Sequence, residues 1–328
     1  MAAHAVLGTL GGVRTLFVMD PFEALAWDKD TSFAFMRGAA RRGHEVWHCQ
    51  PRDLSNRGRE VFASARRLTV HGQGPWLEGG EPAVLELAEL DAVMIRKDPP
   101  FDPNYLFLTQ QLDLVKDRVL VVNDPRGVRD ANEKLFTFEF AEYMPKSLVT
   151  ADPRAIVAFV EEVGGRAVLK PLDGAGGSGV VVLSRGDKNN RSLADVWTAE
   201  GRRLALVQAY QPEVITGDKR VLLLDGEPLG AILRVPRSDD VRANIHAGGR
   251  VVATELTAAE SALVSAVGPK LRAHGLWFVG LDLIGEKLIE VNITSPTGIQ
   301  ELGRFLGRAV EDDVIAWIEQ HAKSPPRI

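Results

Sequence analysis

The chain has 328 residues, of which 45% are hydrophobic and 25% charged, and its formal net charge is -5. At roughly 150 residues per domain, this length predicts two or three domains with apolar cores. The weak negative charge gives no reason to expect nucleic acid or an anionic membrane surface as a partner, and no run approaches the ~20 apolar residues of a membrane span. We therefore expect small polar ligands.

The cysteine and histidine content excludes several classes of protein. The single cysteine, Cys49, rules out an internal disulfide, and residues 1–14 lack the plan of a secretory signal, which together favour the cytoplasm. Cys49 lies in an apolar stretch, where a buried structural thiol is favoured over a nucleophile. The histidines show no zinc-ligand spacing and there is no G-x-S-x-G sequence, so zinc enzymes and serine hydrolases are disfavoured.

The first third of the chain alternates strand and helix patterns. Helices are predicted at 31–42, with Thr31 and Ser32 as the N-cap, and at 104–115. Residues 51–82 are rich in Arg, Gly and Pro and are predicted to be irregular or to form β-hairpins. Apolar strands are predicted at 15–19, 45–48, 91–95 and 119–122. This alternation predicts an α/β domain with a parallel sheet over residues 1–128.

Two further lobes of mixed helix and strand are predicted after this domain. Residues 129–203 form a central lobe, with strands at 147–150, 167–169 and 180–183, a helix at 153–163 and a glycine-rich loop. Residues 204–328 form a strand-rich C-terminal lobe, with strands at 221–224 and 230–235, a polar loop at 236–250, a helix at 258–274 and a final hairpin. The fold class is α/β, with a parallel-sheet domain followed by two α+β lobes.

The central lobe contains a G-x-G-x-x-G run from Gly174 to Gly179. A dinucleotide-binding fingerprint opens a helix, whereas the residues after this run are β-branched and apolar, so the loop is predicted to join two strands. Such a loop can cover phosphates with its N–H groups, and Lys170 just before it supplies a positive charge. The alternative is a flexible turn after a surface lysine.

The final hairpin places acidic side chains among apolar ones. If residues 285–287 form its loop, Asp282 lies opposite Glu290 and Asn292 lies on the same face. Two facing carboxylates repel each other unless a cation compensates them, and an oxygen-only set suits Mg²⁺. The alternatives are an exposed hairpin face, or a shorter loop that separates the pair.

The polar loop at 236–250 is too long for a tight turn and contains Arg237, Arg242, Asn244 and Arg250. Its length and charge resemble those of an active-site lid, with a solvated surface loop as the alternative. Arg220 and Arg234, at strand ends, could clamp a carboxylate or a phosphate.

Together these motifs resemble the bacterial glutathione synthetases of the ATP-grasp superfamily. The resemblance spans residues 16–296 in the expected order, which makes it far more specific than any single glycine motif. The matching blocks are VMDP at 18–21, KDTSF at 29–33, MIRKDPPFD at 94–102, RDANEKL at 129–135, LKPLDG at 169–174, GDKRV at 217–221, AGGR at 247–250, VGLD at 279–282 and EVNITSPT at 290–297.

The resemblance implies an ATP-grasp pair of lobes with ATP between them. It also implies specific roles for residues of this sequence. The expected nucleotide-binding residues are Lys134, Lys170, Gly174, Gly176, Gly177, Gln208, Tyr210, Gln211 and Asp218; the expected metal ligands are Asp282, Glu290 and Asn292; the residues expected near the peptide or the transferred phosphate are Arg220, Arg234, Arg242, Asn244 and Arg250.

The implied reaction is the ATP-dependent ligation of γ-glutamylcysteine to glycine through an acyl phosphate, with Mg²⁺ or Mn²⁺ as the metal. A homo-oligomer is also implied. Two alternatives stay open from sequence: another ATP-grasp peptide or amino-acid ligase, and a nucleotide-binding regulator that has lost catalysis.

Overall fold

The chain folds around three β-sheets, and the computed structural model describes residues 12–174, 176–236 and 250–322. None of the helices in these three ranges has both the length and the apolar character that a membrane crossing requires. The strands are β1 (Arg14–Val18), β2 (Glu45–Cys49), β3 (Leu54–Arg57), β4 (Glu60–Val70), β5 (Leu77–Glu86), β6 (Ala92–Ile95), β7 (Leu120–Val122), β8 (Ser147–Thr150), β9 (Arg166–Pro171), β10 (Val181–Ser184), β11 (Ala205–Ala209), β12 (Asp218–Leu224), β13 (Glu227–Val235), β14 (Arg250–Thr254), β15 (Phe278–Ile284) and β16 (Lys287–Asn292).

Eight α-helices and several short 3₁₀ helices are described. The α-helices are α1 (Thr31–Arg41), α2 (Pro103–Asp113), α3 (Pro125–Asp130), α4 (Pro153–Glu162), α5 (Asn190–Trp197), α6 (Ala258–Ala273), α7 (Ile299–Leu306) and α8 (Glu311–His321). The 3₁₀ helices lie at Phe22–Ala24, Pro51–Asp53, Leu87–Glu89, Phe136–Tyr143 and Pro212–Ile215.

The N-terminal sheet has the order β3-β4-β2-β1-β6-β7, with β5 paired to β4. The parallel part joins β1 to β2 and β6, and β6 to β7. Residues 51–82, predicted to be irregular or to form hairpins, contain the antiparallel strands β3 and β4 and the start of β5, so the sheet is mixed. β1 is buried from Thr15 onward, as expected for a parallel strand covered on both faces.

One capping prediction is wrong. Helix α1 is capped by Asp30, whose carboxylate accepts a hydrogen bond from the Phe33 N–H at 2.8 Å. Thr31 and Ser32 are instead the first helical residues. Asp30 takes the cap because its charged oxygen is a stronger acceptor at the positive end of the helix than a hydroxyl is.

The central sheet has the order β10-β9-β11-β8 and its own apolar core. Helices α4 and α5 cover it, and Ile156, Leu169, Leu183 and Val207 belong to a cluster separate from the other two cores. Strand β11 pairs with β8 and β9, so the central lobe extends past residue 203 and ends after β11 rather than before it.

The C-terminal sheet is antiparallel, with the order β14-β13-β12-β15-β16. It shares its cores with the N-terminal sheet: for example, the rings of Phe35 in α1 and Phe278 in β15 meet edge to face at 5.1 Å. Helix α8 also packs on α1, where Arg37 and Arg41 bind the buried carboxylate of Glu311 at 2.9 and 3.2 Å. The first and third sheets therefore pack as one unit, beside the separately cored central sheet.

In the β15–β16 hairpin, Asp282 pairs with Glu290 as predicted, although the loop is shorter than predicted. Ile284 pairs with Lys287, so the loop has two residues, Gly285 and Glu286, and not the predicted three. A bulge between Asp282 and Leu283 then shifts the register by one residue and returns Glu290 to the position opposite Asp282.

Candidate active site

A cleft lies between the central and C-terminal sheets. It is continuous with a second cleft that reaches the N-terminal domain, because both share Gly176, Gly177, Asp282 and Glu290. Eleven predicted site residues line the first cleft: Lys134, Lys170, Gly174, Gly176, Gly177, Gln208, Tyr210, Gln211, Asp218, Asp282 and Glu290. The fold thus gathers residues that are up to 156 positions apart (290 - 134).

The two lysines of the cleft have different partners. The Lys134 ammonium donates to the Gly174 carbonyl at 2.5 Å and contacts Glu290 Oε1 at 2.9 Å. Lys170, on β9, donates to the neutral amide oxygen of Gln208 at 2.7 Å. Burial lowers the pKa of Lys170 to about 8, although Glu290 partly opposes this shift. Lys170 is therefore a cation that burial destabilises, and an anion beside it would relieve that cost.

The glycine-rich loop joins β9 to β10, as predicted from the β-branched residues after it. Gly176, Gly177 and Gly179 have φ values of 60, 75 and 71°, a region that favours glycine. A Cβ built on Gly176 would meet no atom within 4 Å, so this glycine faces open space in the cleft. The loop can therefore bring its backbone close to a ligand.

The segment Gln208 to Gln211, which contains three of the expected nucleotide-binding residues, runs from the end of β11 along the same cleft. The Tyr210 ring carries the Arg166 guanidinium 3.8 Å from its centroid, and Gln211 donates to the Ala209 carbonyl at 2.9 Å. Val168, Val180 and Val182 add apolar surface beside them. An aromatic ring, apolar side chains and amide groups form an environment suited to a purine base.

The opposite wall is a network of buried charges on β12, β13 and β15. Arg220 donates to both carboxylate oxygens of Asp282, at 2.5 and 3.0 Å, and Arg234 contacts the same carboxylate at 3.0 Å. Arg234 also binds Asp218 through two bonds of 2.6 Å. Burial alone would raise the pKa of Asp282, but the two guanidiniums outweigh it and hold that pKa well below its usual range.

The proximity of Asp282 and Glu290 predicted a compensating cation, and side chains of this chain supply positive charge to both carboxylates. Arg220 and Arg234 neutralise Asp282, and Lys134 neutralises Glu290. The oxygens still fit a hard cation. Asp282 uses three of its roughly four lone-pair positions, and Asn292 donates its NH₂ group to the Gly280 carbonyl at 3.2 Å, which leaves its Oδ1 available.

If Asp282 and Glu290 bind a divalent cation, the third protein ligand would have to be Asn292. Within the described ranges, no three His, Cys, Asp or Glu side chains converge on one point. Asn292 lines the second cleft beside Asp282 and Glu290. Two carboxylates and one amide oxygen form a set that suits Mg²⁺, which keeps part of its shell for water and phosphate.

Three predicted residues are not placed at the cleft by the structure. Arg242 and Asn244, with most of the predicted lid at 236–250, lie outside the described residues. Arg250 is exposed at the start of β14, opposite Val235. Their roles stay predictions.

Sequence reasoning missed several residues of the second cleft. Asp30, Asp98, Glu133 and the segment 294–297 line it without having been singled out. All of them lie in the sequence blocks that resemble the glutathione synthetases, and Glu133 also directly precedes Lys134, so these positions were the available signal. Their meeting in one cleft depends on the packing of α1 and β6 against the C-terminal sheet, which those blocks do not show.

Comparison with known proteins agrees with this geometry. A family model described as the N-terminal domain of prokaryotic glutathione synthetase matches residues 13–129, and one described as its ATP-grasp domain matches residues 133–307. Among solved structures, the D-cycloserine synthetase DcsG is similar with a TM-score of 0.62 at 15% identity, covering 93% of this chain and 99% of that one. The ATP-grasp ligase PsnB has a TM-score of 0.60 at 17% identity, covering 96% and 99%. At such identities these structures show the fold alone.

Curated relatives are much closer in sequence. Glutathione synthetase from Gloeobacter violaceus is 44% identical, with 95% of this chain and 98% of that one covered. The enzyme from Mesorhizobium japonicum is also 44% identical, with 88% and 92% covered. With both domain models matched in order and the relatives covered almost end to end, the chain belongs to the prokaryotic glutathione synthetase family.

Proposed function

We propose that the two continuous clefts perform one reaction, the ATP-dependent ligation of γ-glutamylcysteine to glycine, with nucleotide in the first and the two substrates in the second. The observation that carries this assignment is their shared boundary. Glu290, Asp282 and the glycines of the loop belong to both clefts, so the γ-phosphate of ATP and a substrate carboxylate would meet there.

The chemistry explains why such a boundary is needed. A carboxylate is a poor acyl donor, because attack on it must expel oxide. Transfer of the γ-phosphoryl group converts the leaving group into phosphate, and the amine of glycine then attacks the acyl phosphate. The protein has to neutralise phosphoryl charge, position both substrates and exclude water.

In this proposal the first cleft binds ATP. Lys170 and Lys134 contact the phosphates, which would draw Lys134 from the Gly174 carbonyl and Lys170 from the Gln208 amide. The N–H groups of the glycine-rich loop cover the phosphates. Tyr210 and Gln211 lie beside the adenine, and Asp218 acts indirectly by holding Arg234.

Asp282, Glu290 and Asn292 would hold Mg²⁺, with Mn²⁺ as a substitute. When bound, the ion supplies positive charge that neutralises the phosphoryl oxygens. Arg220 and Arg234 keep Asp282 ionised and fix its orientation. The remaining residues, the cationic Arg242 and Arg250 and the neutral Asn244, are proposed to meet the acyl donor or the transferred phosphate from the lid.

A homo-oligomer in the cytoplasm is also proposed. The first part rests on the family resemblance alone. The second is supported by the lone thiol, Cys49, which is buried and whose pKa is raised by that burial, as expected for an inert structural cysteine.

A ligation assay tests the proposal. Purified protein, ATP and Mg²⁺ are incubated with γ-glutamylcysteine and glycine, and ADP, phosphate and tripeptide are quantified together. We expect equal yields of the three products. Other acyl donors and amines are run in parallel: preferential turnover of a different pair would assign the chain to another ATP-grasp ligation, and no turnover of any pair would leave a nucleotide-binding regulator.

A further inference from the structure

The predicted metal ligands lie on a strand at the edge of its sheet. β16 pairs with β15 on one side only, so the N–H groups that face outward need an acceptor from elsewhere. Val291 and Ile293 flank Asn292, and because strand residues alternate, their N–H groups both point to the outer side. Glu133, which is not in a strand, supplies the acceptors for both.

Glu133 binds the backbone before and after Asn292. Its main-chain carbonyl accepts the Val291 N–H at 3.1 Å. Its carboxylate Oε1 accepts three hydrogen bonds: from the Ile293 N–H at 3.0 Å, the Thr294 N–H at 3.2 Å and the Thr294 hydroxyl at 2.9 Å. One residue therefore takes the place of a missing neighbouring strand.

The next residue extends the same contact. Lys134 binds Glu290 Oε1 at 2.9 Å, so the pair Glu133–Lys134 is attached to residues 290, 291, 293 and 294. Asn292, between them, is held through its own NH₂ group on the Gly280 carbonyl. Without the Glu133 carboxylate, the backbone N–H groups of Ile293 and Thr294 would lose their acceptor, and a buried N–H group left without a partner is unfavourable.

We propose that Glu133 is a positioning residue that fixes the backbone on both sides of Asn292 and thereby sets the affinity of the cation site. The inference rests on the proposed magnesium site. Groups that orient ligands without contacting the ion change metal affinity by about 10–100-fold when they are removed. Glu133 acts here through hydrogen-bond acceptance by one oxygen, a property that glutamine shares and alanine lacks.

The test is direct titration of Mn²⁺ into the enzyme–ADP complex, followed by electron paramagnetic resonance, which requires no turnover. We expect Glu133→Ala to weaken Mn²⁺ binding by about 10–100-fold and Glu133→Gln to stay close to wild type, because Gln retains the acceptor oxygen. Wild-type affinity in Glu133→Ala would overturn the inference. Equal weakening in both variants would also overturn it, since the charge and not the acceptor would then be at work.

Two further variants control for stability. Glu311→Ala removes another buried carboxylate that joins the C-terminal part to the N-terminal domain, and it should lower the melting temperature without changing Mn²⁺ affinity. If Glu133→Ala and Glu311→Ala both lose Mn²⁺ affinity in proportion to their loss of melting temperature, the positioning role is wrong. Should Glu133→Ala fail to fold, Thr294→Val deletes one of the three donors and is expected to weaken Mn²⁺ binding less; no change would contradict the inference.

The outcome is separable from that of the proposed reaction. A wild-type protein that binds Mn²⁺ with ADP but does not ligate γ-glutamylcysteine would refute the substrate assignment and leave the role of Glu133 intact. If the wild-type protein ligates γ-glutamylcysteine to glycine and Glu133→Ala binds Mn²⁺ as tightly as wild type does, the substrate assignment stands and the role of Glu133 is refuted.

Discussion

The two walls of the nucleotide cleft differ in whether their buried charges have a partner of opposite charge. On the central-sheet wall, the Lys170 ammonium is buried and donates to the neutral amide of Gln208 at 2.7 Å. On the C-terminal wall, the Asp282 carboxylate is bound by two guanidiniums, Arg220 and Arg234. The first wall thus holds a cation whose pKa has fallen to about 8, whereas the second has its charges paired before any ligand arrives.

Because of this difference, one wall should determine the affinity for nucleotide, and the other should provide charges that are preorganised for the reaction. A buried cation beside a neutral partner gains most when a phosphate arrives, so the central wall should govern how tightly nucleotide binds. A network of paired charges changes little on ligand binding, and it holds its dipoles in place for the reaction, so the C-terminal wall should govern turnover and stability. Substitutions on the central wall should therefore lower nucleotide affinity, whereas substitutions on the C-terminal wall should lower turnover and stability.

The largest effect is expected for Asp282→Asn, which breaks the paired wall. Asparagine cannot neutralise Arg220 and Arg234, both of which are buried. Removing one partner of a buried ion pair costs about 3–5 kcal/mol, so the free energy of unfolding should fall by that order and ligation should be lost. Urea unfolding and the ligation assay measure the two losses. A stable, inactive variant would mean that the network contributes little to folding.

Glu290→Gln should separate chemistry from folding on the same hairpin. The Glu290 side chain is 23% exposed, and its one partner, Lys134, also donates to the Gly174 carbonyl, so its loss should lower the free energy of unfolding less than the loss of Asp282 does. Metal charge stabilisation is worth several kcal/mol, so turnover should fall by orders of magnitude. Turnover close to wild type at saturating Mg²⁺ would remove Glu290 from the metal site.

The local pattern of the sequence predicted the strands that carry these residues. Ser147–Thr150 matches β8 at both ends, and the β-branched residues after Gly179 correctly separated the glycine-rich loop from a dinucleotide fold. Period-two alternation also placed Glu290 and Asn292 on one face, and both line the second cleft. These are properties of neighbouring residues, which a sequence displays directly.

Contacts between distant segments could not be predicted in this way. The pairing of Asp282 with Glu290 depends on a bulge that compensates for a shorter loop, and a bulge leaves no clear mark in the pattern. The arginines that neutralise Asp282 come from β12 and β13, and the acceptor for the edge of β16 comes from Glu133. Burying a carboxylate requires a partner, but the sequence does not say which cation folds against it.

On the central wall, the sharpest test is the pH dependence of ADP binding. The Lys170 pKa of about 8 means that the ammonium is mostly charged near pH 7 and mostly neutral near pH 9. ADP affinity should therefore fall by about tenfold over this range, with proton uptake on binding at the upper end. Calorimetry in buffers of different ionisation enthalpy measures both quantities.

The matched control is Lys170→Met, which should bind ADP more weakly near pH 7 and lose most of the pH dependence. The linked effect on stability has a defined sign. The unfolded lysine binds its proton up to its ordinary pKa of 10.5, so between about pH 8 and 10.5 the unfolded state holds more protons and the Lys170 contribution to stability rises with pH. A pH profile of ADP binding identical in wild type and Lys170→Met would show that another group is titrating.

The smallest effect is expected in the glycine-rich loop, where only backbone geometry is changed. Gly176 has a φ of 60° and an added Cβ meets no atom within 4 Å, so alanine introduces about 1–2 kcal/mol of backbone strain and a methyl group on the open side of the cleft. If the loop covers phosphates with its N–H groups, Gly176→Ala should weaken ADP binding several-fold.

Gly164 is a matched control, because it has a φ of 89°, equally open surroundings and a position after α4, away from the cleft. Gly164→Ala should lower stability by a similar amount while ADP affinity stays at the wild-type value, as measured by thermal unfolding and calorimetry. If both substitutions lower ADP affinity alike, strain spreads through the whole central lobe; if neither does, the loop does not approach the phosphates and the affinity of this wall comes from its lysines alone.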